Sequence, residues 1–279
     1  MKENMNGLVK IDLCDNGRRI VIFSHKKGYA RKIRNAFKRE SELIDELDVY
    51  VRPGMGRDIK RIKLIDSDIK NFSYGALKFK FNRPVAEEYK KTMIVFKTKP
   101  LCAPEPIGYG YMDGGLSFIV TAMVEGIPLS LFNFEDAEKE QVENLIVESA
   151  LMFSRLHNPP TIFHGDPKLG NIILSANSNE RPLLTLIDWE KMQEKKQKTS
   201  EGKYGFDLLI FVLNAYFVGM IKDEKTARMF IDMYRMGSLD REIADSIHEI
   251  IKKAIEEHRK LKLPANIFGA LTQPPIREV

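Results

Sequence analysis

The stretch His164-Gly-Asp166-Pro-Lys168-Leu-Gly-Asn171-Ile-Ile-Leu174, taken up again at Leu183-Leu-Thr-Leu-Ile187-Asp188-Trp-Glu190, decides how this chain is read. Two runs in it, Asn171–Leu174 and Leu183–Ile187, have the length and apolar character of short strands. The polar groups stand at the ends of those runs. His164, Asp166, Lys168 and Asn171 precede the first, and Asp188 follows the second. A lone loop aspartate or asparagine is ordinarily a turn residue. Several polar positions at regular spacing, each bordered by an apolar run, ask for a further reason.

Downstream, the pattern turns helical. From Glu135 onward Val142, Leu145, Ile146, Met152, Phe153 and Leu156 recur at helical spacing until Pro159-Pro160 stop the run. Further helices are expected over Phe206–Met220, Glu224–Met236 and Asp240–Leu261. In the last, Ile243, Ile247, Ile250, Ile251, Ala254 and Ile255 make one face. Upstream, short β-like runs dominate. Leu8–Leu13 and Arg19–Phe23 flank Asp15-Asn-Gly17, a hairpin signal because Asn-Gly reaches positive φ at low cost. Lys26–Leu47 is helix-prone and basic at its start. Strands are expected at Val49–Val51, Ile59–Ile65, Tyr74–Phe81 and Leu116–Val124, with a helix starting near Pro84, where proline suits the first turn. A strand-rich first part and a helix-rich second part predict an α+β protein with a boundary near Glu125-Gly126, dividing 1–124 from 125–279.

Composition sets the outer bounds. The chain has 279 residues, 43% of them hydrophobic, enough for a sizeable core. Its 44 basic and 39 acidic residues leave a net charge of +5, mild beside that of a nucleic-acid coat. Cys14 and Cys102 are far apart without metal-ligand spacing and read as free thiols of a reducing compartment. Met1-Lys-Glu-Asn4 lacks the apolar run of a secretory signal, and Leu208–Ile221, the most apolar stretch, is too short to span a bilayer. A cytoplasmic location, in part peripheral to a membrane, is the expectation.

The quoted stretch resembles the catalytic loop, H-x-D-x-K-x-x-N, and the metal-binding loop of the protein-kinase-like superfamily. Asp166 lies two after His164, Lys168 two after Asp166, and Asn171 five after Asp166. The resemblance implies a bilobal protein-kinase-like fold: a β-rich N-lobe over 1–124 and a mainly helical C-lobe over 125–279. It also implies ATP and Mg2+ as cofactors. Phosphoryl transfer needs neutralised charge around the moving group more than covalent help. Mg2+ is a hard cation that prefers oxygen ligands, which suits the Asp188 carboxylate and the Asn171 amide oxygen. By the same resemblance Asp166 accepts or orients the acceptor hydroxyl's proton, Lys168 meets the γ-phosphate, and His164 orients the loop.

Partners for the nucleotide are sought in the first part. Tyr74-Gly-Ala-Leu-Lys78 resembles the kinase strand ending in A-x-K, whose lysine holds the α- and β-phosphates. Lys80 shares that strand face and competes for the role. Glu87 or Glu88 pairs with the lysine, and Glu88-Tyr89 resembles the acidic-aromatic helix start of lipopolysaccharide-core kinases. Pro53-Gly54-Met-Gly56 has the makings of a phosphate-cradling loop, though two glycines so spaced are common. Met123, Val124 and Glu125 occupy the place of the hinge that offers backbone groups to adenine.

The similarity runs from about Ile59 to Met220 and is closest to the atypical branch, namely aminoglycoside phosphotransferase and choline kinase relatives and lipopolysaccharide-core (Kdo/heptose) kinases. The loop reads His-Gly-Asp where protein kinases have H-R-D, and the metal loop reads Asp188-Trp-Glu where they have D-F-G. Asp207, nineteen residues after Asp188, resembles the aspartate that braces the catalytic loop in these families. That interval leaves little room for an activation segment, which argues against a protein-substrate groove. Lys168, familiar from protein kinases, keeps a protein acceptor open.

A phosphotransferase acting on a hydroxyl of a sugar, glycolipid or other small molecule is therefore expected. An atypical protein serine/threonine kinase and a pseudokinase acting as a binding module are the alternatives. The basic segment Lys26–Arg39 is a solvated helix or meets an anionic membrane surface. Nucleic acid is the weaker candidate, because no aromatic interleaving accompanies the charge. Lys191, Lys195, Lys196 and Lys198 form a basic rim past the metal loop.

Overall fold

A seven-stranded antiparallel sheet organises the first part of the chain, in the order β1-β2-β6-β7-β5-β4-β3. The structure is a computed structural model, described here for residues 8–15, 18–38, 43–44, 59–65, 72–81, 85–113, 115–175, 183–194, 201–257 and 264–273. Its strands are β1 Val9–Asp15, β2 Arg18–Ser24, β3 Leu43–Ile44, β4 Ile59–Ile65, β5 Phe72–Phe81, β6 Pro106–Met112 and β7 Leu116–Ala122. Helix α1, Lys27–Lys38, and helix α2, Val85–Thr98, complete this part. The architecture is α+β, and the chain falls into two compact units, Met1–Val124 and Glu125–Val279.

Strand periodicity assigns the two faces of the sheet, because successive side chains point to opposite sides. Leu77 and Phe79 of β5 join Ile20, Ile22, Phe118 and Val120 in a core covered by Ala30, Ile33, Ala36 and Phe37 of α1. The basic residues of α1 thus ride on a helix whose apolar stripe is packed on the sheet. On the opposite face Tyr109 and Ile119 pack with Val85, Ala86 and Tyr89 of α2. Each of these large side chains removed from water contributes on the order of 2 kcal/mol before entropy is counted. The alternation that points Leu77 and Phe79 at one core sends Lys78 and Lys80 to the α2 side.

The second unit is mainly helical. It holds β8 Ile127–Pro128, α3 Lys139–His157, β9 Ile162–Phe163, β10 Ile172–Ser175, β11 Leu183–Leu186, β12 Gln193–Glu194, α4 Glu201–Phe217, α5 Glu224–Gly237, α6 Arg241–Glu257 and α7 Ala265–Thr272. Phe153 of α3, Phe211 of α4 and Phe230 of α5 meet with ring centroids 4.9 to 6.3 Å apart and knit those helices together. Strands β10 and β11 form an antiparallel hairpin, Ile172 opposite Leu186, and β10 also pairs with β8. Among the described residues no helix is long and apolar enough to cross a membrane.

Several expected boundaries move. The helix from Lys26 was expected to reach Leu47; α1 spans Lys27–Lys38, Leu43-Ile44 pair as a strand with Ile62 and Arg61, and 39–42 and 45–47 lie outside the described residues. At Leu43-Ile44 pairing to β4 outweighs helix propensity. Helix α3 begins at Lys139, later than Glu135, because the Asn133 side chain accepts the backbone N–H groups of Glu135 and Asp136 and holds a turn there. Helix α4 begins at Glu201, earlier than Phe206, and β7 ends at Ala122, short of Val124. Helix α7 was not anticipated. The strand expected at Val49–Val51 lies outside the described residues, as do Pro84, Gly54 and Gly56.

Candidate functional site

The polar residues of the opening stretch fold into one hydrogen-bonded unit. Asp207, on α4 and fully buried, accepts the backbone N–H of His164 at 2.7 Å and that of Gly165 at 2.9 Å. One carboxylate thus satisfies two loop donors that burial would otherwise leave costly. Its Oδ2 also meets His157 Nε2 at 3.4 Å, and His157 Nδ1 lies 3.0 Å from the Tyr234 hydroxyl. Burial pushes the Tyr234 phenol well above its ordinary range, so it remains protonated.

His164 ties the two loops together. The Asp166 N–H approaches Nδ1 at 3.2 Å, so Nδ1 is the acceptor and the proton sits on Nε2, which donates to the Ile187 carbonyl at 2.9 Å. Complete burial holds its pKa below the usual histidine value, with the Asp207 charge opposing. A neutral ring making two fixed bonds is an orienting device. The Trp189 ring packs 4.5 Å from it, centroid to centroid, and the Trp189 indole donates to Leu186 O at 3.1 Å.

Gly165 explains the His-Gly-Asp form of the loop. Its φ is +78°, and a Cβ there would lie 2.6 Å from the Lys191 carbonyl oxygen. Any side chain would strain the backbone and collide with the chain at Lys191. Asp188 is the non-glycine residue with positive φ among those described, at φ 65° and ψ 62°. A left-handed backbone costs an aspartate about 1 kcal/mol, less than it costs a branched residue, because a short polar side chain is able to bond locally. Ile187 N–H bonded to Asn171 O at 2.9 Å, together with buried Trp189, holds it so.

Asn171 donates through Nδ2 to the Asp166 carbonyl at 2.9 Å, which orients its amide and leaves Oδ1 as the acceptor end. The Asn171 oxygen and the Asp188 carboxylate are hard donors that fit Mg2+. Asp166 Oδ2 receives Lys168 Nζ at 3.4 Å and Lys191 Nζ at 3.2 Å. The second unit thus brings together His164, Asp166, Lys168 and Asn171, and joins them to the turn that carries Asp188.

In the first unit, Lys78, Lys80 and Glu88 come together. Lys78 Nζ lies 3.0 Å from Glu88 Oε1, and Lys80 pairs with Oε2. Both candidate lysines therefore meet the same carboxylate. Glu87 is corrected: it faces solvent and pairs with Lys91 at 3.2 Å. Helical phase decides this, since the buried face of α2 is Val85, Ala86, Glu88, Tyr89, Thr92 and Val95. Met123 and Val124, half-buried, and Glu125, exposed, follow β7 in irregular chain.

His157 and Tyr234 were not singled out from sequence. A lone histidine on an apolar helix reads as core, and its link to Asp207 spans fifty residues of chain. No protein-family model matches this chain, and no curated protein matches it.

Proposed function

We propose that the chain is an ATP- and Mg2+-dependent phosphotransferase with a bilobal protein-kinase-like fold, moving the γ-phosphate of ATP to a hydroxyl of a sugar, glycolipid or other small molecule. The observation that supports this best is the bonding of the two loops through His164, with Asp207 beneath them and Asn171 fixed to Asp166. Such fixed dipoles and carboxylates suit a reaction whose barrier lies in charge and position.

In this reading Asp166 accepts the proton of the acceptor hydroxyl as its oxygen bonds to the γ-phosphorus and the bond to the β-phosphate oxygen breaks, with ADP leaving. Asn171 and Asp188 hold Mg2+, which supplies counter-charge to the phosphates. Lys78 and Lys80 serve the nucleotide phosphates, with Glu88 setting their positions. Lys168 neutralises charge beside Asp166.

Asp166→Asn keeps the shape of the side chain and removes its capacity to take a proton. With the full chain and a panel of hydroxyl acceptors, Mg2+-dependent ADP formation should fall at least about a hundredfold, the usual scale of general-base catalysis, without loss of ATP binding. Wild-type turnover in Asp166→Asn would remove Asp166 from the base role.

A further inference from the structure

Beside Asp166 stand two ammonium groups, and the second is not needed to balance the carboxylate. Lys168 already supplies one positive charge at 3.4 Å; Lys191 adds another at 3.2 Å on the same oxygen. The Lys191 side chain is 63% exposed, so its tie to Asp166 contributes little to stability. Its backbone, in contrast, is held on both sides. Buried Trp189 anchors the chain just before it, and Gln193 pairs with Phe163 just after it. The Lys191 carbonyl oxygen also packs so near Gly165 that no Cβ fits between them. A rigid mount thus carries a solvent-open cation at the residue proposed to receive the acceptor's proton.

We propose that Lys191 is a specificity-determining residue that selects an acceptor bearing an anionic group, a phosphate or carboxylate, near its reacting hydroxyl. This rests on the reading of Asp166 as the group that faces the acceptor. Lys168 remains with Asp166, and the flexible Lys191 head turns to the incoming anion at little cost, since a lysine is a point charge on a mobile stem. A cationic acceptor would meet two ammonium groups against one carboxylate and is disfavoured. Glu190, two residues after Asp188, has a carboxylate oxygen within 4.8 Å of the Asp188 carboxylate and adds negative charge there.

Trp189 is the one tryptophan of the chain and sits two residues from Lys191, so its emission reports on this place alone. The test titrates the full chain, without nucleotide, with a hexose 6-phosphate, a hexuronate, inorganic phosphate, the neutral hexose and the amino hexose. Vesicles of phosphatidylglycerol in phosphatidylcholine form a separate arm, distinguishing a lipid headgroup from a soluble anion. The anionic probes should shift the emission saturably, at least about threefold tighter than the neutral hexose, with the preference fading at high salt. Lys191→Arg should keep the preference and Lys191→Met should lose it, both with the circular dichroism of the wild type. Equal response to neutral and anionic sugars, no response to any probe, or a preference that survives Lys191→Met overturns the proposal. Since no ATP is present, that failure leaves the phosphotransferase reading standing, and a failure of ATP turnover leaves this result unaffected.

Discussion

Both units set two lysines on one carboxylate, and the two triads differ in what surrounds them. In the first unit Lys80 is 3% exposed, Lys78 13% and Glu88 5%, between a sheet face and α2. In the second Asp166 is 25% exposed, Lys168 31% and Lys191 63%, on a loop. The same ionic chemistry therefore does different work. Charges withdrawn from water cannot be left without partners, so the Glu88 group fixes how α2 sits on β5. Charges left in water lose little when a partner departs, so the Asp166 group can exchange partners.

The largest expected effect breaks the buried triad. Glu88→Gln removes the carboxylate and leaves two lysines at the α2 face, which should cost about 4 kcal/mol of unfolding free energy by urea titration of the full chain. A loss no larger than that of an exposed substitution would show that the first triad is as open as the second.

The next effect concerns burial of titratable groups and has a definite sign. His25, His164 and His248 are each held below the ordinary histidine value of 6.5, chiefly by burial. Their folded values lie below the unfolded one, so the folded state favours the neutral rings. The stability they support is complete above about pH 6.5 and is lost as pH falls below it toward the folded values. The lowered carboxyls, Asp12, Glu105 and Asp223, start from 3.8 to 4.5 and act only in more acid solution. Denaturation midpoints measured from pH 7.5 to 5 should therefore decline, and His164→Gln should flatten the decline while lowering its plateau. An unchanged slope in that variant would mean that His164 takes up its proton alike in the folded and unfolded states.

The smallest effect sharpens the open side. Lys191→Met should change unfolding free energy by less than about 0.5 kcal/mol, since an exposed ion pair seldom contributes more. A loss several times larger would make Lys191 a structural counter-ion, and the contrast between the triads would vanish.

The same contrast explains what was legible in the sequence. Strand β4 was read at Ile59–Ile65 and β5 within two residues of its start, because their patterns are local. The β1–β2 hairpin followed from Asn16-Gly17, which itself lies outside the described residues. The short strand at Leu43-Ile44 was not legible: it follows helix-prone sequence, and its pairing with Ile62 and Arg61 depends on a strand about twenty residues away, a separation that local patterns cannot reach. Helix α7 escaped notice because eight residues with Gly269 among them are too few to show a period. In the site, spacing placed His164, Asp166, Lys168, Asn171 and Asp188 in one neighbourhood of the chain. It could not choose between Glu87 and Glu88, which depends on the phase of α2 against the sheet. Nor could it find His157, which meets Asp207 from fifty residues away, and Tyr234, which meets His157 from a helix further on.

Mg2+-dependent binding of ATP by Asn171 and Asp188 is the proposal on which the assigned activity rests. Its most direct test is calorimetric titration of ATP, with and without Mg2+, into the wild type and into Asp188→Asn. Asparagine tolerates the left-handed backbone of position 188, so the variant changes charge and leaves the turn in place. Binding that requires Mg2+ in the wild type and is lost in Asp188→Asn is the predicted result. No binding at all, or binding indifferent to both Mg2+ and residue 188, would contradict the account.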